Sequence, residues 1–231
     1  SAAINKGIFF LASKNQNAEC RIFAENLNDE ISFNLSNIEP DKNKQWVNYI
    51  KGVIAALLKI KTINGINALF YGDLPVGAGL SSSAALEMSA GLALTHLFKI
   101  NINPLELAKI GQLAEHNYVG AKCGLLDQIS SISGKQNHLI MTDFRYLKIE
   151  LVPINEDFCF IICNTGIKHN LVDSEYNKRR HACEEATKSF ARILPHPVRA
   201  LRDVSWEEWE KYHSLLESSF ATIAAHPIGE N

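Results

Sequence analysis

No run in this chain of 231 residues is apolar for long enough to span a membrane. No secretory signal pattern opens it either. Neither sign of charge dominates. The 23 Lys and Arg stand against 25 Asp and Glu, for a formal net charge of -2. That balance lacks the basic footprint of a nucleic-acid or anionic-membrane binder, so neither partner is expected. Cysteine is sparse and odd in number, at five, with no C-x-x-C pair. A disulfide framework and a zinc site are both disfavoured, and a reduced, cytoplasmic setting is expected. There is no internal repeat and no low-complexity linker. The chain lacks an initiator methionine and opens Ser1-Ala2-Ala3, so its natural start is expected to lie further upstream.

What is present suits a globular core: 46% hydrophobic and 21% charged residues. Gly7–Ser13, GIFFLAS, reads as a buried strand, and Glu19–Ala24 and Ile31–Leu35 as two more. Lys42–Ile60 carries apolar residues at helical spacing from Trp46 to Leu58. Ile66–Tyr71 is a short strand, and Ala84–Phe98 a helix rich in alanine and leucine. Asn103-Pro104 has the N-cap and first-position pattern of a helix running to about Tyr118. His138–Asp143 and Leu147–Pro153 form a hairpin pattern. Phe158–Asn164 is a strongly apolar strand, with Cys159 and Cys163 at alternate positions in it. Asp173–Ile193 and Trp206–Leu216 read as helices, with Trp206 and Trp209 packing inward. Strands and helices mix without strict alternation, which predicts a layered α+β fold.

LPVGAGLSSSAALEMS, Leu74–Ser89, joins a strand to a helix through two glycines and three serines. Backbone N–H groups at a helix start have no intrahelical partner, and the helix dipole is positive there. Gly77 and Gly79 allow tight turning and close approach of a ligand. Ser81, Ser82 and Ser83 add hydroxyl donors. A phosphate fits such a turn, although no Gly-Lys-Ser/Thr follows to make a Walker A loop. A serine-capped turn with no ligand has the same residues, and on the residues alone the two readings stand level. Glu87 reads as charge on the helix surface. Asp127 reads first as a cap on the turn before a helix and only second as a functional carboxylate, and Glu115 reads as a solvated residue on an amphipathic helix.

PVGAGLSSSAALE resembles the central motif of the GHMP kinases, the galactokinase, homoserine, mevalonate and phosphomevalonate kinase family. The triple serine narrows the resemblance toward the galactokinases. Three further stretches do the same, in the family's order: QWVNYIKGVI from Gln45, AEHNYVGAKCGLLDQISSISG over Ala114–Gly134, and NTGIKHNLVDSEYNKRRHACEEA. The resemblance implies a two-domain fold. An N-terminal domain over 1–156 would hold a mixed sheet with helices and a left-handed crossover near the phosphate loop. The beginning of a second α+β domain would follow over 157–231. The family's first and third signature motifs are absent, so the chain resembles an internal segment of such a kinase. SAAINKG resembles the chain just after the first motif, and AAHPIGEN a segment well inside the C-terminal half.

The resemblance also implies roles. Gly77, Ala78, Gly79, Leu80, Ser81, Ser82 and Ser83 would wrap the phosphates of ATP. Asp127 would be the catalytic carboxylate, orienting or deprotonating the sugar hydroxyl. Gly124, Asp127 and Tyr176 would contact the sugar. Ser83 and Glu115 would hold Mg2+, a cation that takes hard oxygen ligands and keeps several waters. Trp46 would lie near adenine, although a tryptophan at that spacing also reads as core. Lys178, Arg179 and Arg180 read as a solvated helix face. The implied activity is transfer of the γ-phosphoryl group of ATP to the anomeric hydroxyl of galactose. The alternatives are a kinase of N-acetylgalactosamine and a sensor of galactose and ATP without catalysis. The intact Ser81-Ser82-Ser83-Ala84-Ala85 run argues for an enzyme, with this chain alone expected to be inactive.

Overall fold

A computed structural model describes residues 1–75, 78–155, 157, 159–163 and 175–230. The chain divides into two compact units, Ser1–Asn170 and Leu171–Asn231.

In the first unit, β1 (Ile8–Lys14), β2 (Glu19–Ala24), β3 (Asp29–Asn34) and β4 (Ile66–Gly72) form one sheet, ordered β1-β4-β2-β3. β1 pairs antiparallel with β4 and β2 antiparallel with β3, while β2 and β4 run parallel. The sheet is therefore mixed, as expected. A two-residue turn cannot join the parallel pair. The chain between them makes β3 and then α1 (Gln45–Leu58). Asp41 shapes the turn before that helix by accepting the N–H groups of Asn43 and Lys44 at 2.9 and 3.0 Å.

α1 lays Val47, Ile50, Val53, Ile54 and Leu57 into the core, each fully buried. All but Val47 meet Ile22, Ala24, Ile66 and Phe70 of the sheet within one hydrophobic cluster. Truncating one of them, as in Leu57→Ala, removes about 2–5 kcal/mol, through lost burial plus the cavity left behind. α2 (Ser82–Phe98) packs against α1 and β1 and is apolar on nearly all sides, which suits a helix enclosed by its neighbours. α3 (Pro104–Ala114) begins as its sequence predicts. Asn103 accepts the Glu106 N–H at 2.9 Å, and the Glu106 carboxylate takes the Asn103 N–H. α4 (Leu126–Ser133) follows, then the hairpin of β5 (His138–Asp143) and β6 (Lys148–Pro153).

Two strand expectations change. GIFFLAS is buried on one side only. Ile8 and Phe10 face the core, whereas Phe9 and Leu11 are about two-thirds exposed opposite Tyr71 and Leu69. Apolar composition on both faces suggests burial on both, but the described helices cover just one. Of the Phe158–Asn164 run, Phe158 and Asn164 lie outside the described residues, and Cys159 to Cys163 are exposed and not in a strand. A strand needs a neighbour for its N–H and C=O groups, and no described strand pairs with this run.

In the second unit the described elements are helical: α5 (Glu175–Ile193), α6 (Trp206–Tyr212) and α7 (Ser218–Gly229), with short 3-10 turns at Leu201–Asp203 and His213–Leu215. Their core gathers Phe190, Leu194, Ala221, Ala224 and Ile228. Trp209 packs against it and stacks on the half-exposed Trp206, with ring centres 4.6 Å apart. Arg180 pairs with Glu184 one turn along α5 at 2.9 Å, as a solvated face does. Among the described residues, no helix is long and apolar enough to cross a membrane.

Candidate functional site

β4 delivers the chain into the glycine-serine loop. Val76 and Gly77 lie outside the described residues. Gly79 takes φ 72°, a left-handed conformation open to glycine at little cost. Ser81 is left-handed as well, at φ 54° and ψ 43°. For a residue with a Cβ that conformation costs about 1–2 kcal/mol. Local strain of this kind collects at functional sites. Ser81 is the residue just before α2, yet its hydroxyl makes no capping hydrogen bond. The positive end of a 17-residue helix is thus left without its own side-chain cap. It keeps first-turn N–H groups and a serine hydroxyl for an anion.

Asp127 sits in the first turn of α4, beyond the N-cap position held by Leu125. Its charge suits that end of the helix dipole. The structure brings it to the loop. One cavity of about 470 Å³ is lined by Gly79, Leu80 and Ser81 together with Asp127 and Ser130. Lys6 also borders it. The cavity lining does not include Ser83, Glu115, Gly124 or Trp46.

Glu115 follows α3 as the first residue of a single π turn, Glu115–Val119, which closes at Gly120 with φ 84°. Such turns recur at functional sites. The Glu115 carbonyl accepts the N–H groups of Gly120 and Ala121 at 2.8 and 3.2 Å. The residue is only 4% exposed, so it is not the solvated glutamate that its helix pattern suggests. α1 reaches this place because Gly52 has no side chain: a Cβ there would stand 2.6 Å from the Ala114 Cα. The Cys123 thiol is pushed up by burial first, and then by its hydrogen bond to the Glu115 side chain. Gln112 Nε2 donates to the Cys123 carbonyl at 3.1 Å, and His116 Nε2 lies 2.9 Å from it. These contacts pin the loop that leads to Asp127.

Among the described residues, no group of three or more His, Cys, Asp or Glu side chains gathers as a metal site. Glu115 and Ser83 offer one carboxylate and one hydroxyl. Both are hard-oxygen groups of the kind Mg2+ takes, a cation that leaves most of its positions to water and phosphate oxygens.

Glu87 corrects its surface assignment. It is fully buried, and Gln128 Nε2 donates to its Oε2 at 3.0 Å. Burial raises its pKa well above the ordinary carboxylate value, and the charges of Glu115 and Asp127 add to the rise. The signal missed is three-dimensional, since a helix apolar all round shows no surface face on which to place a charge. Trp46 is half-buried. Its indole N–H donates to Asp29 Oδ2 at 3.0 Å, and its ring lies 5.5 Å from that of Phe70. Gly124 is exposed in the loop before α4. Tyr176 is half-exposed at the start of α5, in the second unit.

The first unit thus combines a mixed sheet backed by helices with a glycine-serine loop that leads into α2. Residues 48–135 match the family model of the GHMP kinases N terminal domain. Similarity to galactokinases extends across the rest. The chain is 37% identical over 230 residues to the galactokinase of Chloroflexus aurantiacus, covering 99% of this chain and 59% of that one. To the galactokinase of Glaesserella parasuis it is 37% identical, again with 99% and 59% covered. The crystal structure of Lactococcus lactis galactokinase complexed with galactose superposes with a TM-score of 0.88 at 31% identity, over 100% of this chain and 60% of that one. The chain thus spans about three-fifths of the length of the relatives it matches.

Proposed function

We propose that this chain supplies the phosphate loop and the catalytic carboxylate of a galactokinase, which transfers the γ-phosphoryl group of ATP to the anomeric hydroxyl of galactose. The observation that carries the reading is the cavity lined by both Gly79–Ser81 and Asp127. Phosphoryl transfer asks a protein for little covalent chemistry. It asks for in-line positioning and for neutralisation of charge on the transferred group. The N–H groups at the start of α2 and the loop serines, Gly77 and Ala78 included, meet the phosphates. Asp127 lines the same cavity, where it orients the attacking hydroxyl and takes its proton. Similarity to the galactose-bound relative favours galactose as the acceptor.

The finer assignments belong to the same proposal. Ser83 and Glu115 hold Mg2+, which neutralises phosphate charge when bound. Gly124 and Tyr176 contact the sugar, and Trp46 lies toward adenine. The N-terminal domain covers 1–156 and the second domain starts at 157. The enzyme works in a reduced, cytoplasmic setting, without nucleic acid or membrane.

The test is ADP release from MgATP by a protein of galactokinase length that carries these 231 residues. Release that needs galactose supports the reading. Galactose binding without ADP release would overturn it and leave a sensor. Preference for N-acetylgalactosamine would reassign the acceptor.

A further inference from the structure

Asp127 is exposed on α4, and its neighbour Gln128 is 1% exposed. Successive helix residues point about 100° apart. Whatever holds Gln128 therefore sets the rotation of α4, and with it the direction of the Asp127 carboxylate. Gln128 Nε2 donates to Glu87 Oε2, on α2, at 3.0 Å, with the more distant Cys123 Sγ at 4.0 Å as a weaker acceptor. α2 is the helix that begins with the phosphate-loop serines. One buried hydrogen bond thus ties the element bearing the carboxylate to the element bearing the anion site.

The junction is shaped for this pair. α3 crosses it at Gly111, where a Cβ would stand 2.9 Å from Glu87 Oε2 and 3.1 Å from Gln128 Cγ. Glu87 Oε1 and Gln128 Oε1 are both buried and find no hydrogen-bond partner among the described residues. Two orphan acceptors at one junction are costly. A proton on Glu87 turns one of them into a donor and leaves the other to accept. The neutral acid and the amide are then complementary, and a glutamine in place of Glu87 offers the same complementarity.

We propose that the buried Glu87–Gln128 pair is a positioning element for phosphoryl transfer, which holds Asp127 in register with the start of α2. The inference rests on the function proposed above. Neither residue lines the cavity, so the pair acts through Asp127 and not on the substrate.

Four variants test it in a protein of galactokinase length carrying this chain: Glu87→Leu, Gln128→Leu, the double leucine variant and Glu87→Gln. Kinetic constants and melting temperatures are measured side by side. Misplacement of a catalytic group lowers turnover more than binding, so each single leucine variant should lose about tenfold or more in kcat, with both KM values within about twofold. Each should also melt lower, because a buried polar group loses its partner. The double variant should regain melting temperature, since an apolar pair replaces a polar one, yet remain slow. Glu87→Gln should recover most of the lost kcat. A double variant with restored kcat, or single variants that are folded and fully active, would overturn the inference alone. No galactose-dependent turnover in the unsubstituted protein would sink the function reading, and the inference with it.

Discussion

Asp127 and Ser81 line one cavity, the first from the opening turn of α4 and the second from the residue that leads into α2. A carboxylate facing a helix start is a poor arrangement for binding an anion alone, because the charges repel. It suits a reaction in which a hydroxyl must be held between the carboxylate and a phosphate.

Asp127→Asn should therefore separate binding from chemistry. The side chain keeps its size and loses its capacity to take a proton. Positioned general bases contribute about 10²- to 10⁴-fold, and kcat should fall by that order. ATP affinity should hold or rise, since a negative charge leaves the cavity. Single-turnover rates beside equilibrium ATP binding check both, and an unchanged kcat would remove Asp127 from the chemistry.

Ser81 offers a test of stability against function. Its left-handed backbone carries a penalty of about 1–2 kcal/mol. Glycine escapes that penalty but adds about 0.5–1 kcal/mol of chain entropy to be lost on folding. Ser81→Gly should hold or slightly raise the melting temperature while raising the KM for ATP, because the hydroxyl is gone. Ser81→Val, branched at Cβ, should lower the melting temperature and weaken ATP together. If Ser81→Gly left the KM for ATP unchanged, the hydroxyl would have no part in binding phosphate.

Much of this was legible from local pattern. The capping box at Asn103 and Glu106, the α1 spacing from Val47 to Leu57 and the β5–β6 hairpin are written in neighbouring residues. The glycine-serine turn between β4 and α2 was visible too, although its residues alone left a phosphate site and an empty serine-capped turn level. Glu87 was not legible. α2 is apolar all round, so nothing in its pattern says which direction is buried deepest. The partner that explains Glu87, Gln128, is distant in sequence. α7 has no counterpart among the expected elements; Pro227 lies inside it, where the ring removes one backbone donor from the last turn. Phe9 and Leu11 show the opposite error: apolar residues promise burial, but only tertiary packing provides it.

Gly52→Ala probes how Glu115 is placed. Alanine would gain about 1 kcal/mol of helix propensity at an open site. Here its Cβ would stand 2.6 Å from the Ala114 Cα, and backbone cannot rotate away as a side chain can. Overpacking of this kind costs about 1–3 kcal/mol, so the net change should be a loss. α1 and α3 must part at the residue just before Glu115. Thermal unfolding should show a lower midpoint, and the activation of turnover by Mg2+ should shift to higher concentration. A more stable variant would mean that the helices adjust freely there, and that Gly52 does not position Glu115.

Glu87 makes a prediction about pH whose sign is fixed by its burial. In the fold its proton is held well above the ordinary glutamate value of 4.5, first by burial and then by the negative charges of Glu115 and Asp127, against the opposing pull of the Gln128 hydrogen bond. The unfolded chain releases that proton once the pH passes 4.5, while the folded chain keeps it. Between those two values the folded state binds more protons than the unfolded state. Stability drawn from Glu87 is therefore complete below pH 4.5 and is lost as the pH rises toward the folded value. Glutamine carries the neutral amide at every pH and escapes that loss. Melting temperatures of the native chain and of Glu87→Gln should lie closest in mild acid. They should separate as the pH rises to neutrality, with the glutamine variant the more stable. Parallel curves would show that Glu87 ionises in the fold as readily as in the unfolded chain, and that some unseen partner supports its charge at the centre of α2.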